Sequence, residues 1–416
     1  MRFRRAWRHV GARSPTRTFR SLAEPNYRRY FLGHTCSIVG TWVQRIGQDW
    51  LVLELTGSAV ALGGALLCQF LPVLLGGVWG GVVVDRLDTL RLLMSTQAAS
   101  ALTAAALAAF AISGTASLAV VYVLAAVLGV ITVVDSPARQ TFVAELVGAH
   151  DIVNAQALNS LVTSVGRLVG PALAGVVIAT AGVGITFVIN AVSFVAVLIG
   201  LVIIDRRTLR AAPPAGGGPV RAREGLRYIW RRPEMRTVVM LVAVVSVFGQ
   251  NFRVVFPLLA TDVFGGGAQA YGWMTATLGL GAVLGALLNA AVEGPVTSWR
   301  LVLACLMFGV TSLLVAVAPS LALALLAVAG LGMTNVVLNT LARALLLTDS
   351  SPEMRGRVMA VHTLVFLGGV PVGAPLIGVM CELWGARAGM GIAALACLLA
   401  AGAVLPGLRR SRTRGP

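Results

Sequence analysis

The chain has 416 residues, of which 57% are hydrophobic and only 12% are charged, and its mean hydropathy is +0.86. A soluble domain carries roughly 25% charged residues, so this composition excludes that class and predicts an all-α polytopic membrane protein. The formal net charge of +17 does not indicate nucleic acid as a partner, because the basic residues, all of them arginine, collect in polar segments between apolar runs.

The first 29 residues contain nine arginines and no apolar segment of their own. A signal peptide needs an apolar segment directly after its basic start, so we interpret residues 1–29 as a retained cytoplasmic arm. Arginines near a membrane surface attract anionic lipid head groups by about 1 kcal/mol each. The lipid bilayer is therefore an expected partner of this arm.

Twelve apolar runs follow between residues 30 and 405, and most of them reach the about 20 residues that a bilayer requires. The run Leu118–Val134 is at the short limit. They form two sets of six, at residues 30–204 and 237–408, separated by a linker at 205–236 with nine arginines and the flexible sequence PPAGGGP. A basic tail follows at residues 409–416.

The arginines also predict the orientation of the chain. If the N-terminus is inside, 28 of the 33 arginines fall in cytoplasmic segments, and only Arg387 falls in an outer loop. Cytoplasmic loops carry an excess of basic residues. We therefore expect a multi-pass membrane protein with both termini in the cytoplasm.

The second apolar run ends in a glycine-rich segment and a charged loop. Gly77, Gly81 and Asp85 recur every fourth residue, so on a helix they lie on one face, where glycines allow another helix to pack closely. Arg86 and Arg91 follow where the span meets water. The spacing predicts a close helix contact beside a charged latch, although an ordinary packing seam with a solvated end would give the same pattern.

The two sets of six runs are related by an internal repeat. Shifting the chain by 204 positions places Gly77 and Gly81 on Gly281 and Gly285, and the same shift places Pro171 on Pro375. One offset over distant points predicts two pseudo-twofold-related six-helix bundles. Parallel repeats of this kind are typical of transporters in which two bundles move about a central site.

Several segments carry a family resemblance. They are GGVVVDRLDTLR after the second run, GRLVGPALAG in the fifth, TWVQRIGQDWLVLELTGS in the first, and DSPARQTFVAELV and NAQALNSLV around the fourth and fifth. The chain resembles the major facilitator superfamily, and within it the enterobactin-exporter and transmembrane-secretion-effector branch of bacterial exporters. The resemblance implies twelve transmembrane helices in the major facilitator fold, located in the bacterial cytoplasmic (inner) membrane.

The resemblance also implies roles for two motifs. Asp85 and Arg86 would latch the cytoplasmic ends of the bundles in the outward-facing state, with Arg355 and Arg357 as the corresponding basic loop of the second half. These charges can instead be topology signals alone. The fifth-run motif would be tied to export; its members are Gly166, Gly170, Pro171 and Gly175. The alternative is a packing kink without a transport role.

Charged residues inside the apolar runs are the sharpest functional signal, because an arginine at the bilayer centre costs about 2.5–3.5 kcal/mol and should face a cavity or a partner. Arg45 and Asp49 lie four apart in the first run, and the shift of 204 carries Asp49 to Arg253. We predict that Asp49 and Arg253 make and break a contact, with Asp49 as the proton-coupling candidate. A self-neutralising Arg45–Asp49 pair is the alternative.

Further candidates complete the predicted site. The fifth run carries a polar stripe that includes Thr163 and Arg167, which we expect to face a cavity, with Arg167 as an anchor for an anionic substrate; simple interfacial solvation is the alternative. Gln250, near Arg253, is a further substrate or coupling candidate. Asp135 and Arg139 flank a proline at the end of the fourth run, and we interpret them as a structural joint.

These features predict a secondary active transporter that exports a small amphipathic molecule in exchange for protons. The sequence lacks the P-loop GxxxxGK[ST], and its cysteines and histidines show no metal-binding spacing, so we expect no enzyme activity, no metal and no cofactor. The proton gradient would supply the energy, and we expect a monomer. An uptake permease, a lipid flippase and a non-transporting receptor are the alternatives.

Overall fold

The computed structural model describes residues 19–148, 150–210, 222–292, 294 and 296–413. Residues 1–18 of the predicted arm, the PPAGGGP segment and residues 414–416 of the predicted tail lie outside this part. In the described chain, long helices follow one another, with short connections except for the linker between α6 and α7: α1 Pro25–Thr56, α2 Ala59–Arg86, α3 Thr89–Ile112, α4 Leu118–Val147, α5 Ile152–Ala181, α6 Val183–Val202, α7 Pro233–Val263, α8 Gly267–Ala291, α9 Ser298–Val317, α10 Leu321–Thr348, α11 Arg355–Trp384 and α12 Ala386–Thr413.

Local sequence signals determine where these helices begin and end. Serine side chains cap the first turns of α2, α4 and α10, and Asp88 Oδ1 accepts a hydrogen bond from the Arg91 amide at the start of α3. Gly57 follows α1 with a φ of 60°, a left-handed conformation that favours glycine at a helix end. The apolar runs therefore become discrete helices with short turns.

Eleven helices in the described chain are long and apolar enough to cross a membrane. The twelfth, α1, has 32 residues and packs against α5 and α6, but its polar side chains lower its mean hydropathy. Gln44, Arg45, Gln48 and Asp49 all lie on it. Its polarity reflects its position beside the internal cavity described below.

The pairing of helices repeats with a shift of six. Within the N half, α1–α6, α2 packs on α4 and α3 on α6; within the C half, α7–α12, α8 packs on α10 and α9 on α12. Between the halves, α2 packs on α11 and α8 packs on α5. The pseudo-twofold arrangement of two six-helix bundles predicted from the repeat is confirmed.

The two ends of the bundle differ in charge. We call the end at which α1 begins and α2 ends the basic end, because the arginine-rich loops lie there, and the other the opposite end. The two parts of the linker near the basic end are attached to different halves. Asn26 Nδ2 donates to the Asp205 carbonyl in the N half, whereas the linker helix Ala222–Trp230 packs on α11 in the C half.

Helix α4 is longer than the apolar run Leu118–Val134 that predicted it, and it continues through Pro137 to Val147. Pro137 has no N–H, so the Val133 carbonyl lacks its helical donor. Gly80 of α2 packs directly on this carbonyl, where any Cβ would overlap it. The helix thus tolerates its proline because a neighbouring glycine covers the freed carbonyl.

Candidate functional site

A cavity of about 380 Å³ lies within the N half and extends from near the basic end to mid-depth. Helices α1, α4 and α5 supply most of its wall, and most of the lining residues are polar. The lining residues are Tyr30, His34, Ser37, Ile38, Thr41, Gln44, Arg45, Gln48, Gln69, Ser100, Leu128, Ile131, Thr132, Asp135, Ser136, Arg139, Gln140, Gln156, Asn159, Thr163, Asn190 and Phe194. Its size and polar lining suit a small organic molecule.

At the deep end of the cavity, an ion pair joins the two halves. Arg253 Nε and Nη2 each donate to a carboxylate oxygen of Asp49 at 2.7 Å, and the Tyr271 hydroxyl donates to Asp49 Oδ2 at 2.7 Å. Arg253 Nη1 donates to Gln69 Oε1 at 3.1 Å. We call these four residues the mid-depth lock. Because Asp49 is only 1% exposed, losing Arg253 would leave a buried, uncompensated charge.

An interruption in α7 places Arg253 in the lock. The helix passes through a π-helical stretch, Val245–Gly249, and breaks at Gln250 and Asn251. Asn251 Nδ2 donates to the Val247 carbonyl at 2.6 Å, which satisfies one backbone acceptor near the break. Arg253 follows in the first turn of the resumed helix. Gln250, a predicted site residue, lies at the break rather than in the lock.

The alternative pairing of Asp49 with Arg45 is wrong for this structure. Among the described residues, Arg45 has no ion-pair partner, and its Nε is buried without a hydrogen bond. Its guanidinium instead lies 4.8 Å from the centroid of the Trp42 ring, and that of Arg167 lies 5.5 Å from the same ring. Two arginines, one from α1 and one from α5, therefore share one tryptophan.

The glycines of the fifth-run motif have two separate contacts. A Cβ at Gly166 or Gly170 would overlap α1 at Ile38 or Trp42, so these glycines let α5 approach α1 within the N half. A Cβ at Gly175 would lie 3.0 Å from the Ala268 carbonyl of α8 in the C half. The motif therefore joins the wall of the cavity to the contact between the halves.

Pro171 gives this motif a further feature. It cannot donate to the Arg167 carbonyl four residues earlier, and this carbonyl faces Gly279 of α8, where an added Cβ would lie only 3.0 Å from the oxygen. The arrangement matches that of Pro137, the Val133 carbonyl and Gly80. Pro171 thus leaves a backbone acceptor without its helical donor at the contact between the halves.

The opposite end of the bundle is closed. Glu382 Oε2 of α11 accepts hydrogen bonds from Ser58 Oγ at 2.9 Å and from the Val60 amide at 3.1 Å, both at the start of α2. Next to them, a Cβ at Gly63 would lie 2.6 Å from the Ala374 carbonyl. Polar contacts and close glycine packing therefore hold α2 against α11 at this end.

The basic end is open along the same seam. A Cβ at Gly77 or Gly81 would meet no atom within 4 Å, so the predicted close contact at these glycines is wrong for this structure. The glycines that contact α4 are Gly76 and Gly80, each against Val133. A shift of one residue rotates the position by about 100° around a helix, which places the predicted pair on a different face.

A change of one residue also corrects the alignment of the two halves in the internal repeat. In the C half, Gly281 and Gly285 pack on α10, so by packing they correspond to Gly76 and Gly80 rather than to the predicted pair. Gly81 follows Gly63 by about five turns of 3.6 residues. It therefore lies on the face of α2 that contacts α11 at the opposite end, and here this face is uncovered.

The charged residues predicted to form a latch lie at the open basic end. Four of them are exposed to solvent: Asp85, Arg86, Arg91 and Arg355. Arg357 forms an ion pair with Glu224 at 3.1 Å, which ties α11 to the linker helix. No ion pair between described residues joins Asp85 or Arg86 to the C half.

Asp135 and Arg139 join three helices of the N half and also line the cavity. Arg139 Nε donates to Asp135 Oδ2 at 2.5 Å, and Arg139 Nη1 lies 2.8 Å from His34 Nδ1 of α1. From α3, Thr96 Oγ1 and Gln97 Nε2 donate to Asp135 Oδ1 at 2.8 and 2.7 Å. The pair therefore forms both a joint and a part of the wall.

Replacing Asp135 by asparagine should reduce stability markedly, because Arg139 would remain largely buried without its counter-charge. Removing one partner of a buried pair costs roughly 3–5 kcal/mol, so we expect the melting temperature in detergent to fall by about 5 °C or more. Thr132→Val is the matched control, because Thr132 lines the same wall but its hydroxyl donates only to its own helix. Equal melting temperatures for both variants would contradict this role.

Sequence reasoning missed several residues of the site. Tyr271 and Gln69 belong to the mid-depth lock, His34 contacts Arg139, and Asn190 Nδ2 donates to Gln44 Oε1 at 2.5 Å inside the N half. Gln69, Asn190 and His34 were detectable as isolated polar residues within apolar runs. Tyr271 offered no such signal, since a tyrosine near the end of a span is common at membrane interfaces.

Two six-helix bundles that are in contact at one end and open at the other, with a polar cavity inside the N half, define a major facilitator transporter. A family model described as "Transmembrane secretion effector" matches residues 16–411. The chain belongs to this family of membrane transporters, and it is not an enzyme.

Named relatives agree with this assignment. The chain is 26% identical to the staphyloferrin A transporter of Staphylococcus aureus, covering 86% of this chain and 90% of that protein. It is 28% identical to the multidrug efflux pump Tap of Mycolicibacterium fortuitum, covering 84% and 87%. It is 25% identical to the enterobactin exporter EntS of Escherichia coli, covering 94% of each chain.

Solved structures show the same fold. A bacterial homolog of the human lysosomal transporter Spinster, in an inward-facing and unoccupied conformation, matches with a TM-score of 0.72 at 14% identity over 94% of this chain and 96% of that one. The nucleoside transporter NupG matches with a TM-score of 0.73 at 12% identity over 92% and 98%. At these identities the likeness establishes the fold alone.

Proposed function

We propose that this chain is a secondary active exporter that moves a small molecule outward in exchange for protons by alternating access. One observation carries the proposal: the cavity extends from near the basic end to the mid-depth lock, whose buried carboxylate holds the two halves together. The basic end would be cytoplasmic, so the present conformation would load substrate from the cytoplasm. Relatives named as exporters support the outward direction.

Asp49 is the residue that we propose for proton coupling. Its surroundings contain Arg253 and Tyr271 from the C half and Arg45 one turn away on α1. Protonation would remove the negative charge that Arg253 binds and would weaken the lock. With the opposite end open and the lock broken, Asp49 would bind a proton from outside, and re-forming the lock with Arg253 would release this proton to the cytoplasm. A charge crossing 100 mV supplies about 2.3 kcal/mol.

In the other state, the halves would separate at the opposite end and meet at the basic end. The uncovered face of α2 with Gly77 and Gly81 would then approach α11. Asp85 and Arg86 would come close to the C half and latch it, as the family resemblance implies. Two states that differ by a few kcal/mol can be biased by such a latch.

Proton exchange in proteoliposomes tests this function. Vesicles containing the full chain and a trapped pH-sensitive dye should show substrate-induced proton movement after addition of at least one compound from a panel of citrate, benzene-1,3,5-tricarboxylate, tetracycline and ethidium. Vesicles without protein should show none, and Asp49→Asn should lose the signal. Binding of a panel compound without proton or compound flux would contradict the exporter and indicate a receptor.

A further inference from the structure

The mid-depth of the molecule holds an unbalanced positive charge. Arg45, Arg167 and Arg253 lie there with a single carboxylate, that of Asp49, and both of its oxygens bind Arg253. Among the described residues, Arg45 and Arg167 have neither a hydrogen bond nor an ion pair. Two positive charges therefore remain without a counter-charge. An arginine in the membrane interior requires a partner or a water-filled cavity.

Unpartnered hydrogen-bond donors accompany this charge at the deep end of the cavity. Arg45 Nε and Gln48 Nε2 are both buried without a hydrogen-bond partner, and both residues line the cavity. They lie three residues apart on α1, so they share one face of the helix. Gln48 is only 2% exposed. Buried donors without a partner are costly, which indicates a ligand with acceptor atoms.

Trp42 holds the two free arginines near each other. The guanidinium carbons of Arg45 and Arg167 lie 4.8 and 5.5 Å from its ring centroid, and close packing of α1 on Gly166 and Gly170 of α5 fixes the ring. A neutral ring attracts cations but cannot neutralise them. Of this cluster, Arg45 lines the cavity of about 380 Å³, whereas Trp42 and Arg167 are not among its lining residues. Arg167 therefore adds a second positive charge beside the site, and the cavity is far larger than an inorganic ion.

We propose that the deep end of this cavity binds an organic anion, with Arg45 and Gln48 donating to its carboxylate or phenolate oxygens and Arg167 supplying a second charge. The proposal names the substrate class of the exporter proposed above and rests on it for the transport step. Binding itself does not depend on that step. The site lies next to the mid-depth lock, because Gln48 precedes Asp49 on α1 and Gln69 of the lock lines the same cavity. A bound anion would therefore sit close to the residues that hold the halves together.

Calorimetric titration of the purified full chain in an uncharged detergent tests the site. Citrate, benzoate and benzene-1,3,5-tricarboxylate are the probes, each compared with its neutral amide and with sulfate at equal ionic strength. We expect at least one organic anion to bind at least tenfold more tightly than its amide and than sulfate. Arg45→Gln and Arg167→Gln should each weaken its binding at least tenfold, whereas Arg28→Gln, an exposed arginine at the basic end, should not.

Several results would overturn the proposal. They are equal affinity for acid and amide, unchanged affinity in Arg45→Gln, sulfate binding as tightly as the organic anions, and no binding of any probe. If Arg45→Gln does not fold, Arg45→Lys keeps the charge and should bind more weakly than wild type but more tightly than Arg167→Gln. Anion binding without flux would refute the exporter but support the anion site. Flux of ethidium without anion binding would support the exporter but refute the anion site.

Discussion

Replacing Gly63 by valine should open the opposite end of the transporter, and replacing Gly81 by valine should keep that end closed. In the present state, a Cβ at position 63 would lie 2.6 Å from the Ala374 carbonyl and 2.8 Å from the Pro375 Cα, both backbone atoms. Overpacking of this kind costs roughly 1–3 kcal/mol. It would shift the equilibrium about tenfold toward the state in which α2 and α11 separate there.

Gly81 lies on the same face of α2, but a Cβ there would meet no atom within 4 Å, so this position has room for a side chain in this state. It would obstruct α11 only when the basic end closes. The yield of a disulfide between Ser58→Cys and Glu382→Cys, in a chain without its native cysteines, reports closure of the opposite end. We expect a clear decrease for Gly63→Val and an unchanged or higher yield for Gly81→Val.

Gly402→Val is the control for these two variants, because Gly402 also has open space around it but lies on α12, away from the contact between the halves. Its yield should equal that of the parent. If Gly63→Val and Gly81→Val change the disulfide yield in the same direction, closure of one end does not require opening of the other. The proposal that α2 contacts α11 at only one end at a time would then be wrong.

Reversing the charge of Asp49 or Arg253 alone should abolish closure of the opposite end and transport with it. Either change places two like charges at a position that is almost fully buried. Breaking a buried pair costs roughly 3–5 kcal/mol, which corresponds to more than a hundredfold change in the equilibrium between states. The double variant Asp49→Arg with Arg253→Asp restores opposite charges and should recover a substantial part of the closure of the opposite end and of transport.

The same disulfide yield and the proton signal in proteoliposomes measure this recovery. Asp49→Asn, which keeps the side-chain shape, and Arg253→Gln, which shortens the side chain, avoid like-charge repulsion, and each should show a smaller loss of disulfide yield than the charge reversals. The pairing would be disproved by a double variant as defective as the single ones while still folded by size-exclusion chromatography. Tyr271→Phe should weaken closure less, because it removes only one of the hydrogen bonds to Asp49.

The sequence alone allowed the architecture and one side-chain contact to be predicted. Hydropathy and arginine placement indicated the helices, and opposite charges at related positions of the repeat predicted the contact between Asp49 and Arg253. This worked because a charge inside a bilayer has few tolerable environments. A polar residue in an apolar run is therefore far more informative than one in a soluble helix.

Packing details could not be obtained in this way. The repeat alignment was wrong by one residue at Gly77 and Gly81, because several glycines lie side by side and one residue changes the face by about 100°. Arg45 has Asp49 within helical reach, but the stronger, bidentate partner comes from α7 in the other half. Which face of α1 meets the C half depends on packing that no single helix encodes.

Pulsed electron paramagnetic resonance on the full chain tests the central claim most directly. One pair of spin labels, at Gly57 and Leu383, spans the opposite end, and another, at Leu87 and Gly356, spans the basic end. We predict two populations at each pair, with Asp49→Asn lengthening the distance at the opposite end and shortening the distance at the basic end. A single unchanged distance at both ends, or lengthening at both, would contradict alternating access controlled by the mid-depth lock.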